Sequence, residues 1–212
     1  MKLYDSIGPN PRLVRLFMAE KGIAVDKIDV DILGGENREA AFLAQNPAGE
    51  LPALLLDDGT ILAETQAICE YLEECYPEHP LIGETAETRA KIRMWVRRVD
   101  VNINAPLTNG FRYAEGLPLF QSRRHCIPQA ADDLKIQARQ GMVWLEAQLQ
   151  DRPYIAGDAL SLADITLFPF LDFGRAVGQP IDPALTPKLA AWFDRIAERP
   201  AVAASLHHSE RR

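Results

Sequence analysis

Asn46-Pro47-Ala48-Gly49-Glu50-Leu51-Pro52-Ala53-Leu54-Leu55-Leu56-Asp57-Asp58-Gly59-Thr60-Ile61-Leu62-Ala63-Glu64-Thr65-Gln66-Ala67-Ile68 is the stretch on which the reading of the fold turns. It sets turn, strand, turn, strand and the opening of a helix in immediate succession. Asn-Pro followed by Gly49 makes a turn. Ala53 to Leu56 is an apolar run of strand length, and Asp58-Gly59 is a strong hairpin signal before the returning Ile61-Leu62. From Glu64-Thr65 onward, Ala67, Ile68, Tyr71 and Leu72 recur at helical spacing.

Two features go beyond scaffolding. Pro52 stands directly before a strand that belongs in the middle of a sheet, where proline is confined to the first residue or to an edge. A cis bond there would turn the amide and carbonyl of Leu51 outward, able to pair with an extended peptide. A trans bond, with Thr65 as an ordinary helix cap, is equally open. Glu64-Thr65 begins a helix, where unpaired N–H groups and the dipole favour an anion. Together they suggest a site for a small peptide carrying a carboxylate.

The pattern N-P-x-G-x-x-P, a short hairpin, then E-T-x-A-I resembles the glutathione-binding half of the cytosolic glutathione transferases. With Ser161-Leu162-Ala163-Asp164 further on, the resemblance covers essentially the whole chain. It implies an α/β thioredoxin-like N-terminal domain over 1–76, a Pro-rich linker over 77–84 and an all-α helical domain over 85–212. It also implies glutathione as cosubstrate, with binding contacts from Asn37, Arg38, Glu50, Leu51, Pro52, Glu64 and Thr65. Asn37 and Arg38 would meet the glycine carboxylate, although a solvated charged turn explains Arg38 equally well.

Composition agrees with a globular protein. The chain has 212 residues, 47% hydrophobic and 25% charged, which is room for one large or two small domains. A net charge of −7 argues against nucleic acid as the main partner. No apolar run approaches the ~20 residues needed to span a bilayer, and Met1–Asp5 runs straight into a strand-like segment without a long apolar leader. Membrane association is therefore not expected. Cys69, Cys75 and Cys126 have no metal-type spacing and read as packing residues of a reducing, cytoplasmic protein.

The order along the first domain is strand Lys2–Asp5, a helix through Leu13–Ala19 ending at Gly22, strand Val25–Val30, a short helix Ala40–Ala44, then the hairpin and third helix. The loop Tyr4-Asp5-Ser6-Ile7-Gly8-Pro9-Asn10-Pro11-Arg12 is where the thiol of glutathione sits in the family it resembles. The thiolate is the nucleophile, so its pKa must be lowered by hydrogen bonds or positive potential. The family uses Tyr, Ser or Cys. Here there is no cysteine, Tyr4 points toward the core, and Gly8 or Asn10 falls where a serine is expected. Ser6 and then Asn10 are the candidate catalytic residues, aided by N–H groups of the helix start. Their plain alternatives are a strand end and a helix cap.

Beyond residue 84 the pattern is helical throughout. Thr85–Asn104 and Gln129–Leu149 carry apolar stripes, with a break at Asn109-Gly110 and at Gly116-Leu117-Pro118. Ser161 to Asp164 reads as a capping box that fixes the fold rather than as catalysis. Pro169 should kink its helix, and Thr186-Pro187 starts the last main one. The tail from His207 should fray, and its adjacent histidines offer no metal site. By resemblance the helical domain supplies the electrophile pocket, from Asn104, Thr108, Phe111, Arg112, Tyr113 and His125; single aromatics there are as readily core. In some relatives lacking the usual hydroxyl, the region of His125 activates the thiol.

The expected activity is addition of the glutathione thiolate to a small hydrophobic electrophile, by a homodimer. Glutathione-dependent reduction of a disulfide or peroxide, and a non-catalytic binding module, are the alternatives.

Overall fold

The computed structural model describes residues 1–210. The chain divides into two compact units: Met1–Pro80 together with the chain from Arg199 onward, and Leu81–Glu198.

In the first unit, strands β1 (Lys2–Asp5), β2 (Asp26–Asp29), β3 (Ala53–Leu55) and β4 (Ile61–Ala63) form one sheet in the order β2-β1-β3-β4. β2 runs parallel to β1, while β3 and β4 run antiparallel to their neighbours. Helix α1 (Pro9–Lys21) makes the crossover from β1 to β2, α2 (Ala40–Leu43) precedes β3, and α3 (Thr65–Cys75) follows β4. This is the thioredoxin-like arrangement expected. Leu3, Leu54, Leu13, Leu16, Phe17, Ile68 and Leu72 are buried in its core. Gly22 closes α1 with φ 67°, a left-handed cap that glycine takes without a Cβ penalty. Of the cysteines, only Cys69 packs inside; Cys75 is exposed and Cys126 half-buried, so they are not core residues. Burial pushes the Cys69 thiol well above its ordinary pKa and keeps it inert.

The end of the chain differs from expectation. Residues 199–210 belong with the first unit rather than with the helical domain, and they do not fray. After α10 (Pro200–Ala204), Ser205 is fully buried: its carbonyl accepts Nε of Arg15 at 2.7 Å and its hydroxyl accepts Nε of Arg12 at 3.3 Å. Arg199 grips Glu20 with two bonds, at 2.6 and 2.7 Å. Buried arginines on α1 need acceptors, and the tail supplies them. Arg211 and Arg212 lie outside the described residues.

The second unit is helical: α4 (Ala86–Val99), α5 (Ala105–Arg112), α6 (Leu117–Phe120), α7 (Ala131–Leu149), α8 (Leu162–Ala176) and α9 (Pro187–Ala197). α4 and α5 are joined by one π-helical segment, Asp100–Asn104. The expected break at Asn109-Gly110 is absent, because the helix continues to Arg112. Gly110 is instead a packing residue: a Cβ there would come within 2.8 Å of Cγ of Lys135 on α7. Gly141 on α7 is tighter still, since a Cβ would stand 2.2 Å from the Asn102 carbonyl oxygen of the π segment.

α8 is the centre of this unit, with Leu162 to Leu171 all buried, and it runs through Pro169. Asp164 is wholly buried. Its Oδ1 accepts N–H from Ile155 and the indole N–H of Trp192, each at 2.9 Å. Its Oδ2 accepts the Ser161 N–H and hydroxyl, also at 2.9 Å. Burial pushes the carboxyl above its ordinary pKa, against those four bonds, which pull it down. The residue thus ties three separate parts of the unit together, as its capping pattern implied. Replacing Asp164 by Ala leaves three obligate N–H donors buried without an acceptor, so we expect a loss of about 3–5 kcal/mol in urea unfolding. A loss below about 1 kcal/mol would refute this role.

Candidate functional site

The register of the sheet assembles the site. Tyr4 lies opposite Ala53, and Ala53 opposite Ala63. Continuing one and two residues along these antiparallel pairs sets Asp5-Ser6, Leu51-Pro52 and Glu64-Thr65 side by side at one end of the sheet. The Leu51–Pro52 peptide is cis.

The turn before Leu51 is held by side chains. Nη1 of Arg38 donates to the Ala48 carbonyl (3.0 Å), Nδ2 of Asn37 to that of Gly49 (2.6 Å), and Nδ2 of Asn46 to that of Glu50 (2.8 Å). The Gly49 N–H closes the turn on the Asn46 carbonyl at 2.8 Å. Gly49 has φ 60°, and a Cβ there would meet the Asn37 carbonyl and Nη1 of Arg38 within 2.9 Å. Nη2 of Arg38 also pairs with the Glu50 carboxylate at 3.1 Å. Asn37, 2% exposed, and Arg38 therefore brace the turn. Arg38 is not the solvated charge that its sequence position also allowed.

The Leu51 side chain is buried in a cluster with Val30 and Phe42, against which Tyr4 and Ile32 pack. Its backbone N–H has no acceptor among the described residues. At α3 the N-cap Glu64 has φ 69° and provides no side-chain cap. The first N–H to find an acceptor is that of Ile68, on the Glu64 carbonyl at 3.0 Å, so the Thr65, Gln66 and Ala67 amides are available. Glu64 is exposed and Thr65 half-buried. The arrangement offers an extended peptide one backbone donor and, beside it, an anion-binding helix start.

The two thiol-activating candidates separate. Ser6 is 3% exposed and donates its only hydroxyl proton to the Val30 carbonyl at 2.7 Å. That bond links the ends of β1 and β2, which is the strand-end role. Asn10 lies in the first turn of α1, half-buried, and its side-chain amide has no partner among the described residues. Pro9 and Pro11 have no N–H, and the Arg12 N–H is taken by the Gly8 carbonyl at 3.2 Å. The Asn10 main-chain and side-chain amides are thus the donors left at this helix start. Tyr4 donates to Oε1 of Gln45 at 3.0 Å and stacks edge-on with Phe42.

The expected electrophile residues lie on the helical unit and only partly converge. Phe111 packs edge-to-face against Phe120 and Phe173, and Arg112 lies over the Phe120 ring at 5.4 Å. Tyr113 follows at the helix end, half-buried. Thr108 is 7% exposed and donates to the Asn104 carbonyl at 2.7 Å, one turn back at the end of the π segment. Asn104 donates to the Thr166 carbonyl on α8 at 3.0 Å. His125 is exposed on the segment after α6. A cavity of about 320 Å³ beside Val101, Pro106, Gly141 and Trp144 involves none of these residues.

Sequence reasoning missed Asn46 and Gly49 as parts of the site. The signal was present in the Asn-Pro-x-Gly turn, but only the fold shows that the asparagine amide serves the Glu50 carbonyl. It also missed Arg15. Nη1 of this buried arginine donates to the Ser6 carbonyl at 2.7 Å and pairs with Asp5. It thereby fixes the loop that leads to Asn10.

Residues 7–75 match the family model described as glutathione S-transferase, N-terminal domain, and residues 128–195 match the glutathione S-transferase C-terminal domain. The chain is 34% identical to glutathione S-transferase 2 of Saccharomyces cerevisiae, covering 95% of this chain and 88% of that protein. It is 34% identical to the maleylacetoacetate isomerase of Pseudomonas aeruginosa, over 95% and 93%. The crystal structure of Gtt2 from Saccharomyces cerevisiae superposes with a TM-score of 0.90 at 33% identity, covering 97% of this chain and all of that one. Among the described residues no helix is long and apolar enough to cross a membrane. With a thioredoxin-like unit that leaves the Leu51 N–H without an acceptor among the described residues, followed by a helical unit, the chain belongs to the glutathione transferase family, whose cosubstrate is glutathione.

Proposed function

We propose that this transferase adds the thiolate of glutathione to a small hydrophobic electrophile. The observation that carries the reading is the set of unpaired amides of Leu51 and Thr65–Ala67 at one sheet end, with Asn10 nearby in sequence terms only four residues past Ser6, which ends the strand beside them. Glutathione lies extended against Leu51-Pro52, its γ-glutamyl carboxylate on the α3 amides. The Asn37–Glu50 turn faces the glycine end. Asn10, by its two amide donors, stabilises the sulfur anion and so lowers the pKa of the thiol. Catalysis is then mainly charge stabilisation of the nucleophile.

Phe111, Arg112 and Tyr113, with Thr108 and His125, are the proposed electrophile contacts on the helical unit. We also assign a homodimer acting in the cytoplasm. Exposed Met94, Val101, Ile136 and Val143 on that unit support self-association, and light scattering should give twice the chain mass.

The test is conjugation of glutathione to an aryl halide. Asn10→Ala should lower kcat roughly 10- to 100-fold with little change in the glutathione KM. Ser6→Ala should keep kcat per folded molecule while costing about 1 kcal/mol of stability, the price of one buried hydrogen bond. The opposite ranking would transfer the role to Ser6. Turnover of a glutathione-capped disulfide without any aryl halide conjugation would replace addition by reduction.

A further inference from the structure

At the far edge of the sheet, strand β2 ends in Asp29, and the tail brings His207 and His208 to it. Nε2 of His207 stands 3.1 Å from Oδ1 of Asp29, and Nδ1 of His208 stands 3.5 Å from its Oδ2. One ligand atom from each of the three residues lies within 4.8 Å of the others. The two rings lie face to tilted face, their centroids 4.1 Å apart.

We propose that Asp29, His207 and His208 form a binding site for a divalent transition-metal ion of the zinc type. Two imidazole nitrogens with one carboxylate suit zinc, nickel or copper, whereas magnesium and calcium take oxygen ligands. Ligand atoms around a four-coordinate ion at ~2.0–2.1 Å stand about 3.3–3.5 Å apart, close to the two carboxylate–imidazole spacings here. The His208 side chain is 64% exposed, so it can swing to complete the set. The open side leaves room for water in the remaining position.

The site is supported from behind. His207 is 8% exposed, and its other ring nitrogen, Nδ1, lies 2.7 Å from Oγ of Ser209. The Ser209 N–H also donates to that Nδ1 at 3.4 Å, so Nε2–H donates to Asp29, and a bound ion would take the place of this proton between the two ligand atoms. The His207 N–H donates to Glu210 at 2.9 Å, and buried Ser205 is held by Arg12 and Arg15. The ligands thus stand on a fixed segment. A bound ion would clamp the tail to the edge strand and stabilise the folded chain by mass action.

The experiment is calorimetric titration of the untagged, metal-stripped full chain with Zn²⁺ in the absence of glutathione. Saturable binding of one equivalent at micromolar affinity is expected, with a rise in Tm and with visible absorption bands when Co²⁺ replaces Zn²⁺. Asp29→Asn and His208→Ala change exposed side chains and keep the fold, and each should weaken Zn²⁺ binding at least roughly tenfold. Absence of saturable binding at millimolar Zn²⁺ would overturn the proposal. So would unchanged affinity in His208→Ala, which would point to the thiols of Cys75 or Cys126 instead.

Discussion

The site depends on the capture of successive carbonyls by side-chain donors. Arg38, Asn37 and Asn46 take the Ala48, Gly49 and Glu50 oxygens in turn. Of these only Gly49 is buried, and its carbonyl must find a partner that a turn this tight cannot supply from a strand ladder. The side chains therefore fix where the chain enters Leu51-Pro52. The Leu51 side chain is then locked among Val30 and Phe42. What is left over is its N–H, without an acceptor among the described residues. The proposed binding edge is what remains once the groups around it are satisfied.

The same economy governs the two helix starts. α3 begins at a residue with positive φ that lends no side-chain cap, so its first amides stay available. α1 begins between two prolines, which removes N–H groups and leaves Asn10 as the donor there. Ser6, the obvious hydroxyl, is consumed in holding β1 to β2. A thiolate needs donors that are not already committed, and by that criterion the amide of Asn10 is the proposed substitute for the hydroxyl.

Much of the fold was legible because its signals are local. The Asp58-Gly59 hairpin, the Gly22 cap and the Ser161–Asp164 pattern each act within a few residues, and each stands where its chemistry put it. Distant partners were not legible. Nothing near Ser6 announces that Val30 takes its proton, and nothing near His207 announces Asp29. Gly110 looked like a turn because glycine signals both flexibility and lack of bulk, and here only the second was used, against Lys135. The tail read as frayed because its polar residues gain partners only when Arg12 and Arg15 of α1 are brought beside them. Of the candidate site, Leu51-Pro52 at the start of a central strand stood out in the sequence, whereas the bracing by Asn37, Asn46 and Arg38 required the three-dimensional turn.

The most direct measurement is amide chemical-shift mapping of the folded chain during titration with glutathione. The Leu51 N–H and those of Thr65, Gln66 and Ala67 should shift together, saturate with one dissociation constant, and move downfield as they gain an acceptor. Saturation that leaves these four amides unmoved, with the shifts elsewhere, would contradict the placement of the peptide on this edge.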